Sequence, residues 1–191
     1  SDGATGILLA GSGVVTVANF GIALQDLMVT AGTGDASLYN YGDLAETVTL
    51  VGGSGSNRLE SMAANVGTLK LIGGTGSNRL LAARTRAASV VLVGGAGSDD
   101  LDIEGGTVNS VSFTGGAGND ALRVAAEVLT SLLFDGGGGN NSIELLGRMT
   151  AAGLTSTILL GATGNNVAIL DGNIGTSAAT VNLQGGTGND R

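Results

Sequence analysis

A short glycine motif returns along this chain at a fixed interval. It reads A-G-S-G at Ala10, A-G-T-G at Ala31, G-G-S-G at Gly52, G-G-T-G at Gly73, G-G-A-G at Gly94, G-G-A-G at Gly115 and G-G-G-G at Gly136. Successive starts lie 21 residues apart, six steps in a row. Two further copies, G-A-T-G at Gly161 and G-G-T-G at Gly185, follow after steps of 25 and 24. A sustained period of this length marks a repeat architecture, in which each repeat is one structural unit that cannot bury its apolar face alone.

Every repeat has the same internal order. Ahead of the glycines, apolar residues alternate: Val48 and Leu50, Leu69 and Leu71, Val90 and Leu92, Val111 and Phe113, Leu132 and Phe134, Val181 and Leu183. Alternation with period two is that of a strand with one face inward. After the glycines stands a second apolar column: Leu38, Leu59, Leu80, Leu101, Leu122 and Ile143. A third segment, rich in Gly, Ala and Ser, returns the chain. Its apolar residues (Ile22, Leu44, Met62, Val108, Leu129) shift register, which predicts a less regular path.

Strand, glycine turn, strand and return make one coil of a solenoid, stabilised by stacking on its neighbours. The expected fold is all-β: a single parallel β-solenoid (β-helix or β-roll) over residues 1–191, right-handed, with about nine coils of 21 residues. At ~4.8 Å per coil the rod is roughly 40 Å long. The turn glycines are expected because such a turn visits φ > 0, where a Cβ is penalised.

Composition narrows the alternatives. The chain has 191 residues with 36 glycines, no proline and no G-X-Y run, which excludes collagen. An apolar fraction of 42% is too high for disorder. Aromatics at 3% suit a thin core with one aliphatic layer per coil. Cysteine and histidine are absent, which removes disulfides, zinc thiolates, a thiol nucleophile and an imidazole base. A net charge of −8 with a single lysine, Lys70, argues against nucleic acid and anionic membrane surfaces as partners. No stretch reaches the ~18 apolar residues of a membrane span. No signal peptide opens the chain, so a mature or excised segment is expected.

Charged positions test the register. Stacking at the repeat interval places Asp102, Arg123 and Glu144 in consecutive coils with alternating sign, Arg79 beneath Asp100, and Glu127 beside Arg148. It also makes neighbours of Arg58 and Arg79, a small conflict. Exposed pairs of this kind are worth ~0.2–1 kcal/mol each.

The glycine motif resembles the nonapeptide of the RTX (calcium-binding toxin repeat) family, G-G-x-G-x-D-x-(apolar)-x, which forms a parallel β-roll. Gly94-Gly95-Ala96-Gly97-Ser98-Asp99-Asp100-Leu101-Asp102 fits at every defined place, as does Gly115-Gly116-Ala117-Gly118-Asn119-Asp120-Ala121-Leu122-Arg123. Gly185 to Asp190 fits as far as the chain runs. The resemblance implies a secreted, cell-surface protein and calcium as the one cofactor. Two departures weaken the calcium implication. The aspartate is Asn at Asn57, Asn78, Asn141 and Asn166 and is replaced by Ala36, and only one turn per coil carries the motif instead of two. Calcium wants several oxygens, carboxylates among them. The metal expectation is therefore confined to Asp99 and Asp120, which meet on adjacent coils. Elsewhere the Asn and Asp side chains are expected to cap backbone N–H groups and form an amide ladder.

Other sites find little support. Asp102, Glu104, Arg123, Glu127 and Tyr41 are the residues a polysaccharide-acting β-helix enzyme would enlist, but stacked ion pairs on a solvated face account for them, and no enzyme is expected. A hydroxyl array for ice is broken at Ala96, Ala117 and Gly138. No G-K-[ST] follows a glycine cluster, so a phosphate loop is excluded. The expected function is mechanical: an extracellular rod of a surface layer, adhesin or filament. Its expected partners are itself, by head-to-tail stacking or within a longer array, and cell-surface polysaccharide. The alternatives are a calcium-responsive adhesin domain and a polysaccharide-acting enzyme.

Overall fold

The computed structural model describes residues 5–9, 11–21, 25–149, 154–174 and 180–191. These residues contain strands and turns and no helix, so none is long and apolar enough to cross a membrane. Every strand pairing is parallel, and residues of the same phase in the repeat sit side by side across the ladders. The protein is a β-solenoid.

Each coil has three sides. The strand before the glycine turn builds the first ladder, with rungs 5–9, 26–30, 47–51, 68–72, 89–93, 110–114, 131–135, 155–159 and 180–184. The strand after the turn builds the second, from residues 15–19 to 167–170. The return segment, expected to be irregular, is itself a short third ladder through Leu44, Val66, Ala87, Val108 and Val128, and again through Met149 and Ile174. In the middle of the rod the second, third and first sides of one coil form a single bent strand, as in Asn78–Val93, Asp100–Gly116 and Ala121–Gly137. The solenoid has about seven turns with all three sides present among the described residues, not the nine expected. Counting glycine motifs counted the corner between the first two sides, which recurs more often than the complete coil.

The core follows the alternation. Leu59, Leu80 and Leu101 are fully enclosed and stand in register, as Leu38↔Leu59, Leu59↔Leu80, Leu80↔Leu101 and Leu101↔Leu122. Opposite them Leu50, Leu71 and Leu92 form a column that continues as Phe113 and Phe134, packed edge to face at 5.4 Å. The return segment departs from the expected facing. Met62 is half exposed and Ala63 and Val66 face inward instead; Leu129 lies outside and Val128 inside. At Leu129 the pairing slips between Val128 and Ser131, which changes the phase of alternation there. Ile22 lies outside the described residues.

The reason for the glycines also needs correcting. At Gly53, Gly74 and Gly95 φ is not in the left-handed region. A methyl there would overlap the carbonyl oxygen of Gly32, Gly53 or Gly74 on the preceding coil, well inside 3.0 Å. Those positions are glycine because two backbones meet at the corner. Only from the sixth motif onward do the turn glycines also adopt φ > 0, as Gly118 (φ 126°) and Gly139 (φ 92°) do.

The charge ladder stands as expected on the outer face of the second side. Arg123 reaches Asp102 at 3.2 Å on one neighbouring coil and Glu144 at 3.3 Å on the other, and Arg79 reaches Asp100 at 3.3 Å. Arg58 and Arg79 are indeed neighbours, but Arg58 turns to Glu60 and Arg79 to Asp100, which relieves the conflict. Glu127 and Arg148 do not close an ion pair among the described residues.

Candidate functional site: the polar ladders of the glycine turn

Two residues after the last glycine of each motif, the chain turns a side chain into the corner. The column Asn57, Asn78, Asp99, Asp120, Asn141 and Asn166 is almost entirely buried, at 0–2% exposure. Buried polar groups persist only when hydrogen-bonded, and this column bonds along the rod axis. From Asn78 onward each backbone N–H donates to the side-chain Oδ1 of the next coil: Asn78 to Asp99, Asp99 to Asp120, Asp120 to Asn141 and Asn141 to Asn166, all at 2.8 Å, then Asn166 to Asp190 at 3.2 Å; Asn57 N–H donates to the Ser77 carbonyl at 3.1 Å. Side-chain amides add rungs from Asn57 to Asn78 at 2.8 Å and from Asn78 to Asp99 at 2.7 Å. The ladder stops at Ala36, and Asn57 Oδ1 is left without a partner.

A second ladder runs on the solvent side of the same turn, one residue earlier. Here the side chain accepts from the next coil's backbone: Asp35 from Ser56 N–H at 2.8 Å, Asn119 from Asn140 at 2.9 Å, Asn140 from Asn165 at 2.7 Å and Asn165 from Asn189 at 3.0 Å. The inner side chains accept from the preceding coil and the outer ones from the following coil. The turns at Asn119–Asp120, Asn140–Asn141 and Asn165–Asn166 are thus fastened to both neighbours at adjacent residues.

A third polar stack, which the sequence reading missed, lies deeper in the first coils. Asn19 Nδ2 donates to Asn40 Oδ1 at 2.8 Å, and Asn40 Nδ2 to Ser61 Oγ at 3.4 Å. The same column continues upward as Ala82, Ile103, Val124 and Leu145. Its signal was present as two asparagines one repeat apart.

Asp99 and Asp120 come together on adjacent coils as predicted, but their oxygens are taken. Asp99 Oδ1 accepts from Asn78 and Oδ2 accepts from Gly95 N–H at 2.9 Å. Asp120 Oδ1 accepts from Asp99 N–H. One oxygen of four, Asp120 Oδ2, has no donor. Calcium takes six to eight oxygens in its shell, and no group of three or more acidic side chains converges among the described residues.

A hollow of about 440 Å³ lies open along the corner between the third and first sides, against Asn65, Arg86, Thr107, Asn109 and Leu129. No carboxylate lines it, so the paired acid and base of a glycosidic or lyase mechanism are not in it. Of the residues weighed for catalysis, Asp102, Glu104 and Arg123 are bound in the outer charge ladder. Tyr41 stacks flat on Phe20 at 5.1 Å, at another corner.

In comparisons with known proteins, no family model, no curated protein and no solved structure matches this chain.

Proposed function

We propose that this chain is a rigid segment of an extracellular structural protein, a degenerate RTX-like solenoid serving as a rod in a surface layer, adhesin or filament. The observation that carries this reading is the pair of opposed side-chain ladders along the turn edge. They add bonds between coils to the backbone pairing of three ladders, and they spend the polar side chains of the most regular part of the sequence on holding the coil to itself. A ligand-binding site would leave such groups free. The acidic surface, at net charge −8, favours solubility outside the cell and contact with cations over nucleic acid.

Self-association is part of the proposal. The inward columns of the last described coil end on Leu170 and Leu183, 40% and 47% exposed. A second copy stacked head to tail would cover them.

Electron microscopy of the purified chain tests the reading. Slender rods that join end to end into filaments or ordered arrays are expected as concentration rises. Particles that stay separate and show no end contacts at any concentration would remove the self-assembling rod.

A further inference from the structure

The outer face of the first side differs from the other sides. Its rungs pair residue for residue from 26–30 to 180–184 with no slip, so their outward residues stand in three straight columns. The first column is Thr or Ser at seven of these eight rungs, from Thr47 to Thr180. The other two carry Met28, Val51, Ile72, Val91, Val93 and Leu133, with Met28, Val93 and Leu133 exposed by 37%, 39% and 39%. Of the chain's 16 acidic and 8 basic residues, only Asp26, Lys70 and Asp135 stand on this face. The charges of the regular coils lie instead on the second side, at Arg58, Arg79, Asp100, Asp102, Arg123 and Glu144. A sheet face of apolar and hydroxyl groups this long marks an interaction surface.

Its size suits a second copy of the chain. Eight rungs at ~4.8 Å and five residues at ~3.3 Å make a face of roughly 38 by 16 Å, or roughly 1,200 Å² over two copies before side-chain relief is added. Specific dimers begin at about that area. Two face-to-face arrangements have two-fold symmetry. With the rods parallel, each rung meets itself, which sets Lys70 of the central column against Lys70. With the rods antiparallel, each column still meets its own kind, but the rungs run in reverse order. Full overlap of the eight rungs then lays rung 68–72 over rung 131–135. Lys70 faces the partner's Leu133, with the partner's Asp135 two residues along, within reach of its long side chain across the ~10 Å between packed sheets. Within one chain Lys70 closes no ion pair among the described residues, and Asp135 accepts from Gly137 N–H.

We propose that the outer face of the first side is an antiparallel, side-by-side interface between two copies of this chain, with Lys70 of each copy against the partner's Asp135. The pairing is separate from end-to-end stacking on Leu170 and Leu183. It thickens the rod and leaves its length unchanged.

Sedimentation velocity and small-angle X-ray scattering of the full chain test this. The expected particle has twice the chain's mass and a thickened cross-section at constant length. A thickened particle that never lengthens upholds this pairing and not the end-to-end rod. Leu133 is exposed, so L133K and L133E leave the core intact, and circular dichroism checks that both fold. L133K faces the partner's Lys70 and is expected to weaken pairing at least ~100-fold, whereas L133E offers that lysine a carboxylate and stays within ~10-fold of the parent. If L133K does not fold, K70E reads the same contact, because it faces the partner's Asp135, and pairing retained in K70E overturns the proposal. Spin labels on M28C, in a chain with no other cysteine, are expected roughly 35 Å apart, seven rungs along the pair. Equal losses from L133K and L133E, or labels within about 20 Å, overturn the antiparallel pairing. A chain that stays monomeric at every concentration, or lengthens without thickening, overturns the interface. So does a monomer that cosediments with microcrystalline cellulose, since a glycan surface would then be the occupant of this face.

Discussion

Gly95→Ala is expected to destabilise the solenoid by about 3 kcal/mol or more, lowering the melting temperature by roughly 10 °C, or to prevent folding. The change adds one methyl group, at a position where φ permits any residue. The cost comes from stacking. The added Cβ would overlap the carbonyl oxygen of Gly74, a backbone atom that cannot swing aside as a side chain can. Relief requires the two coils to separate at their corner. That corner is where Gly95 N–H bonds Asp99 Oδ2 and where the Gly95 carbonyl accepts Ala117 N–H at 2.8 Å. Separating the Gly74 and Gly95 coils there breaks the inner-ladder bonds from Asn78 to Asp99 and the backbone bond from Gly73 N–H to the Val93 carbonyl together. Gly11→Ala is the control, because a Cβ at Gly11 meets nothing within 4 Å. It should shift melting by less than the equivalent of about 0.5 kcal/mol. Far-ultraviolet circular dichroism melts of both variants check the pair, and equal effects would mean that coil spacing is not what selects glycine.

This distinction was not legible in the sequence. A run of glycines says that something about Cβ is forbidden, but not whether the objection is torsional or steric. The expectation chose torsion for every turn; Gly53, Gly74 and Gly95 turned out steric, and Gly118 and Gly139 carry both. The period itself was legible, because a parallel ladder converts sequence spacing directly into adjacency: Leu80, Leu101 and Leu122, and Asp102, Arg123 and Glu144, became neighbours as their spacing required. The return segment was harder: Met62 looks like a core residue in the sequence and is half exposed, and Leu129 looks like one until the slip of pairing between Val128 and Ser131 is known. At the site, the Asn/Asp column was identified, but the direction of its bonds was not. Which oxygen of Asp99 or Asp120 meets an N–H depends on the handing-on of donors between coils, a three-dimensional property with no counterpart in the linear motif.

Leu101→Ala is expected to cost ~2–5 kcal/mol, near the upper end of that range. Leu101 is fully enclosed, between Leu80 below and Leu122 above, and faces the column that carries Leu92 and Phe113. Most cores soften such a loss by collapsing into the gap. Here the coils above and below are held at ladder spacing by hydrogen bonds on three sides, so the cavity stays open and its cost is retained. Arg123→Ala removes a larger side chain and contacts to three carboxylates, Asp102, Glu104 and Glu144. Yet that side chain is 39% exposed, and Asp102 keeps Arg79 within 4.0 Å, so the loss should stay below about 1 kcal/mol. Denaturant unfolding of the two variants separates a rod held by its aliphatic columns from one held by its charged face. A loss at Arg123 equal to that at Leu101 would reverse the assignment of inside and outside on the second side of every coil.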